Sequence, residues 1–290
     1  RAAASAIASD AAAPVARAFA YWLPIAAVAM LAVFLDQPLL ATSIIFATSV
    51  ASLALVGGSV AVIGMSDNEP AAWPVQTRKI AGLLLPVTVL ALLAGFAGHF
   101  TWFSSVILAI QGATLLFVWH EPAADSGGPK WFAHLQKKNL LLAAILCPAG
   151  AWAVVRGTIG LTHIRGFPPP NIVATTALSP LLSAPILMGG AALAQRGQAW
   201  AAAATQAAIA QLNLCVLLPL VAIAWQLRWH AHLEYPMANW RVDAVMLVLL
   251  AAAMIPASTG HWRLGRLEGG VLIALYCAYV LATIAVSMPS

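Results

Sequence analysis

The sequence predicts an all-α polytopic membrane protein, and three observations carry that prediction. Of the 290 residues, 62% are hydrophobic and only 8% charged, with a mean hydropathy of +0.90; a water-facing surface on a chain of this size needs far more charge. Apolar runs of about 20 residues recur, each long enough for a ~30 Å hydrocarbon layer. These runs are continuous rather than short and alternating, which points to helices and away from a barrel.

Nine spans are expected: 11–35, 39–65, 78–97, 101–119, 139–156, 170–194, 199–227, 241–258 and 267–287. The first carries Pro24 and ends at Asp-Gln-Pro (36–38); the second runs up to SDNEP (66–70). GHF (98–100) separates the third from the fourth, and HEPAADSGGPKWFAHLQKK (120–138) follows the fourth. That segment is the longest loop, rich in Pro, Gly and charge, and it divides the chain almost evenly. The fifth span gives way to GFPPPN (166–171), a stiff lead-in to the sixth. QRGQ (195–198), RWHAHLEYP (228–236) and TGHWRLGR (259–266) bound the last three.

Basic residues set the expected orientation. One side collects Arg1, Arg78, Lys79, Lys130, Lys137, Lys138, Arg196, Arg263 and Arg266; the other holds Arg156, Arg165, Arg228 and Arg241. The richer side is read as cytoplasmic, which places the 121–138 loop there and the C-terminus opposite, in a bacterial-type inner membrane. The net charge of +5 reflects this orientation and implies no nucleic-acid partner. Cys147, Cys215 and Cys277 read as small buried hydrophobes, and tryptophans such as Trp22, Trp102, Trp119 and Trp229 as an interfacial belt.

The chain repeats weakly at an offset of 161–162. GHF (98–100) matches GHW (260–262), LPI (23–25) matches API (184–186), and Gln37 matches Gln198. Residues 1–120 thus form a first half, 121–138 a cytoplasmic connection, and 139–290 a second half inserted in the opposite sense. Four spans precede the connection and five follow it, so a tenth is expected before Arg1. Such inverted repeats place their site at mid-membrane, between the halves.

HWRLGRLEGGVLIALYCAYVLATIA (261–285) and IVATTALSPLLSAPILMGGAALAQRGQ (172–198) resemble segments of the cation/calcium exchanger superfamily, the sodium/calcium and calcium/proton antiporters. The resemblance implies an exchanger-like helical bundle. It also implies a cation site built on Gly-Thr-Ser-x-Pro-Glu, where Pro24 and Pro185 match the proline and Ser183 the serine. The family glutamate falls on Ile25 and Ile186, making Pro24, Ile25, Ser183, Pro185 and Ile186 degenerate positions, and Pro185 is expected to break its helix. The family's Gly-Asn-x-x-Gly-Ser-Asn pattern falls on Ala204, Thr205, Ala208, Ile209 and Ala210, with Asn213 surviving, while ATSIIFATSVASL (41–53) keeps hydroxyls only.

Calcium takes six to eight oxygens with carboxylates supplying the charge, and the sequence places no Asp or Glu at a span centre; Asp243 is read as near a span end. Calcium exchange is therefore not expected. The first expectation is an accessory or scaffolding subunit of a larger membrane complex. The alternative is a secondary cation antiporter whose solute path uses Thr176, Thr205, Gln206, Gln211 and Asn213. A third reading has an interfacial histidine, His99 or His261, holding a haem or chlorin, although no cofactor and no metal site is expected. No phosphate loop, triad or zinc motif suggests an enzyme. Besides other membrane subunits, the expected partner is the lipid bilayer.

Overall fold

The computed structural model of the chain describes residues 13–63, 74–119, 137–162, 164, 167–256 and 265–287. Among these residues the chain forms nine helices. They are α1 (Ala13–Phe34), α2 (Pro38–Ile63), α3 (Val75–Ala94), α4 (Trp102–Trp119), α5 (Lys137–Thr162), α6 (Pro170–Gln195), α7 (Ala199–Trp229), α8 (Met237–Ala253) and α9 (Arg266–Ser287). Among the described residues seven of them, α1–α4, α6, α7 and α9, are long and apolar enough on length and composition alone to cross a membrane. Each helix coincides with one expected span. The connecting segment, 121–136, and His261 lie outside the described residues.

The repeat is visible in backbone geometry. Asp36, between α1 and α2, has φ +61°, and Gly197, between α6 and α7, has φ +71°. The next residues, Gln37 and Gln198, precede their helices with φ −118° and −116°. Both positions require a left-handed residue to reverse the chain. Asp36 also forms an ion pair with Arg228 at 3.7 Å. The two most buried of the membrane-length helices, α2 and α7, are then equivalent partners, so the architecture is an inverted-repeat bundle with α2 and α7 at its centre.

Both central helices widen by one residue per turn at matching places, Ala51–Val56 in α2 and Asn213–Leu217 in α7. A third wide turn, Ala174–Leu178, interrupts α6. In α6 and α7 a proline follows at once, Pro180 and Pro219. A proline cannot donate to the carbonyl four residues back and its ring crowds that carbonyl; a wide turn just before it relieves both problems. For Pro219 the carbonyl is that of Cys215. It lies against Gly112 of α4, where any Cβ would overlap it.

Pro185, expected to break its helix, does not: Ser179–Gln195 runs through it, and α1 runs through Pro24. The interruption in α6 lies two to three turns earlier. Two further expectations need correction. Cys277 is exposed on the outer face of α9, and Trp22 and Trp119 are buried in the core rather than placed in a belt.

Glycines allow the closest crossings. Gly58 of α2 and Gly269 of α9 meet backbone to backbone, and Gly189 of α6 receives the Tyr21 ring from α1. At one end of the bundle the 95–101 and 230–236 loops are tied by a two-residue antiparallel ladder, with His99 opposite Glu234 and Phe100 opposite Leu233. This ladder is the one β element among the described residues. Gln226 Nε2 secures it by donating to Phe100 O at 2.6 Å. At the same end Asn171 of α6 donates to Ser287 Oγ of α9, which reaches Asn239 of α8 at 3.5 Å.

Candidate functional site

The polar groups at the bundle centre gather where α2 and α7 widen. Asn213 opens the wide turn of α7, is fully buried, and donates through Nδ2 to Thr48 Oγ1 at 3.0 Å and Ser49 Oγ at 3.1 Å. The two hydroxyls send their own protons back to Ile44 O (2.6 Å) and Ile45 O (2.7 Å). Their oxygens are thereby committed as acceptors, and both amide protons of Asn213 are used. Ser52, inside the wide turn of α2, donates to Ser49 O at 2.9 Å.

What is left over is an acceptor. Asn213 Oδ1 is buried without a partner, as are Gln206 Nε2, Gln211 Oε1 and Ser183 Oγ. An unpaired buried polar atom costs about 1–3 kcal/mol, and Asn213 Oδ1 is such an acceptor at the start of the wide turn of α7. Gln206 and Asn213 are seven residues apart, about 10 Å along one face of α7. Gln206 fills the space left by Gly57 of α2 and Gly190 of α6; a Cβ on Gly57 would come within 3.1 Å of its Oε1.

The other sequence candidates are distributed more widely. Gln211 is buried and ties α7 to α3 by donating to Ile80 O at 2.7 Å. Thr205 is buried but bonded to Ala201 O at 2.8 Å, one turn back on its own helix. Thr176 is exposed on α6 and bonds Ile172 O. Of the degenerate positions, Ile25 and Ile186 are 0% and 2% exposed and Ser183 is buried, whereas Pro24 and Pro185 face outward. His99 lies in the ladder loop, its ring stacked on His232 at 5.2 Å.

Sequence reasoning missed a buried carboxylate. Asp243 is the seventh residue of α8, 3% exposed, and accepts from Tyr279 of α9 at 2.6 Å and from Tyr235. Placing the span at 241–258 put Asp243 at its edge; the helix in fact starts at Met237, directly after Pro236. The signal was that proline, which starts a helix readily, together with Asn239 and Asp243 spaced four apart on one face.

The profile of the sodium/calcium exchanger protein family matches residues 139–285, just over half of the chain. The chain belongs to the sodium/calcium exchanger protein family.

The likeness to solved exchanger structures extends over nearly all of the chain. The sodium-calcium exchanger NCX_Mj, in a structure soaked with zero Na+ and Ca2+, superposes with a TM-score of 0.66 at 17% identity, covering 94% of this chain and 86% of that one. The H+/Ca2+ exchanger CAX gives a TM-score of 0.65 at 17% identity, with 97% and 80% covered. Native YfkE gives 0.70 at 13% identity, with 96% and 86% covered. At such identities the likeness establishes the fold. No curated protein matches the chain by sequence. The chain is an integral membrane exchanger-family protein in which isoleucines stand at positions 25 and 186.

Proposed function

We propose that the protein is a secondary antiporter for a monovalent cation, bound among neutral oxygens where α2 and α7 widen. The observation that carries the reading is Asn213 Oδ1, a fully buried amide oxygen without a partner beside the oxygens of Thr48 and Ser49. Neutral carbonyl and hydroxyl oxygens can replace the water around a singly charged ion. A dication asks for carboxylates in addition, and the positions nearest the family motif hold Ile25 and Ile186. The likeness to proteins named as Na+/Ca2+ and H+/Ca2+ exchangers supports cation antiport as the class.

Within this reading the two halves, 1–120 and 139–290, rock against each other about the seam, and the 121–138 connection lies on the cytoplasmic face of a bacterial-type inner membrane. Thermal unfolding in ionic-strength-matched chloride salts tests the site directly. Binding to the folded state alone stabilises by RT ln(1 + [L]/Kd). Sodium or potassium should raise the midpoint relative to a bulky organic cation, calcium should not, and Asn213→Ala should abolish the difference. Equal midpoints in every salt would overturn the proposal.

The second reading is a non-transporting accessory subunit. Complete burial of Ile25 and Ile186 favours it, because apolar side chains there close the space that an ion would need. A stoichiometric partner retained through mild-detergent purification, together with no flux from the isolated chain, would establish that reading instead.

A further inference from the structure

An open pocket of about 340 Å³ lies at the ladder end of the bundle, lined by Gly98, His99, His232, Glu234, Tyr235, Pro236 and Met237. His232 and Glu234 are exposed at its mouth, while Tyr235 is buried, its ring stacked on Phe46 of α2 at 5.2 Å. Tyr235 lines the pocket, and its hydroxyl donates to the buried carboxyl of Asp243. The second donor to Asp243 is Tyr279. Both partners are neutral phenols, so nothing in this cluster balances a negative charge, and an ionisable group held this way inside a membrane bundle is retained for function far more often than for stability.

We propose that Asp243 is a proton-binding site, loaded from the His99–His232–Glu234 pocket through the Tyr235 hydroxyl. In the loading step a pocket water or imidazolium gives a proton to Tyr235 Oη as the phenol's own proton passes to Asp243 Oδ2. Tyr235 is neutral before and after, one proton leaves the pocket, and the carboxylate becomes a carboxylic acid. The hydrogen bond then reverses: Asp243 donates to Tyr235 Oη, and the phenol must donate elsewhere. Ser43 Oγ of α2 is the acceptor in waiting. It lies one turn before Phe46, whose ring stacks on Tyr235, and it is buried without a hydrogen-bond partner while Tyr235 donates to the carboxylate. The protonated state satisfies the atom that the ionised state leaves unpaired.

Other groups around the carboxyl do not compete. α9 presents Tyr279 and, one turn further, Tyr276, which donates to Thr175 O at 2.9 Å. α6 and α2 contribute Thr175 and Ser43, which do not titrate. α3 meets α8 through Gly95 and Trp240, and Arg241 on α8 itself is exposed. The proposal stands independently of which solute occupies the seam, since its readout is the proton alone.

The test is infrared difference spectroscopy of the full chain in lipid nanodiscs during a pH titration. The wild type should show the carbonyl stretch of a buried carboxylic acid growing as pH falls, and Asp243→Asn should lack that band. Tyr235→Phe keeps the carboxyl and removes the relay hydroxyl. It should retain the band and slow its appearance after a pH jump about a hundredfold, the low end for a positioned proton donor. Should Asp243→Asn not fold, this rate comparison decides alone. A wild-type spectrum without such a band, a band that survives in folded Asp243→Asn, or an unchanged rate in Tyr235→Phe would each overturn the proposal.

Discussion

Gly58 of α2 and Gly269 of α9 stand against each other so closely that a Cβ on Gly58 would lie 2.6 Å from Gly269 O, and one on Gly269 2.7 Å from Gly58 O. The contact is reciprocal and made by backbone, so no rotamer change can relieve it. Membrane helices rely on such small-residue crossings because lipid provides no hydrophobic drive to join them. Gly58→Ala or Gly269→Ala should cost about 1–3 kcal/mol, the usual range for overpacking, and lower the thermal midpoint in detergent. Gly270, one residue along with open space around it, should accept alanine without loss. Equal midpoints for Gly58→Ala and Gly270→Ala would contradict the crossing.

Gly189 makes a different prediction, because its neighbour is a side chain. A Cβ there would overlap the Tyr21 hydroxyl and lie 2.9 Å from Cζ. Gly189→Ala should destabilise by roughly 1–2 kcal/mol, and adding Tyr21→Phe should recover part of the loss. Full additivity in this double-mutant cycle would show that the two residues do not meet.

Pro219 and the wide turn before it are expected to depend on each other. Pro219→Ala restores a backbone donor near Cys215 O, the carbonyl that Gly112 approaches from α4. The regular helix so favoured would rotate Asn213 away from Thr48 and Ser49. The variant should fold yet lose any cation-dependent stabilisation, read by thermal unfolding. Unchanged stabilisation would mean that the wide turn does not set the position of Asn213.

Tyr235 gives a pH dependence with a definite sign. Burial pushes its phenol well above the usual tyrosine range, and the Asp243 charge beside it adds to the shift. The folded state therefore holds this proton more tightly than the unfolded chain. The contribution is complete below about pH 10, the unfolded tyrosine value, and is lost as pH rises beyond it. Alkaline unfolding of Tyr235→Phe should show a shallower loss of stability above that pH than the wild type. Parallel curves would contradict the burial of a protonated phenol.

Much of this was legible in the sequence because bilayer thickness imposes a length that composition reveals. All nine helices fall on the apolar runs, and Gln37 and Gln198, matched in the repeat, follow two turns of the same conformation. The wide turns were not legible, since Ala51–Val56 and Asn213–Leu217 read as ordinary apolar helix; only Pro180 and Pro219 hinted at two of the three. Nor could periodicity show that Pro24 and Pro185 face outward, because every side of these helices is apolar. Asn213 was found as a surviving motif position. Its partners Thr48 and Ser49 come from the other half of the chain, and only the fold brings them together. Asp243 was missed through a helix start placed four residues late.

The central claim is that a monovalent cation crosses at the Asn213 seam, and gradient-driven flux in proteoliposomes tests it most directly. Purified wild-type chain should carry sodium or potassium, but not calcium, down an imposed gradient. Asn213→Ala, folded to the same thermal midpoint within the ~1–2 kcal/mol expected for its two lost hydrogen bonds, should not. Equal flux in the two proteins, or calcium flux from the wild type, would contradict the account.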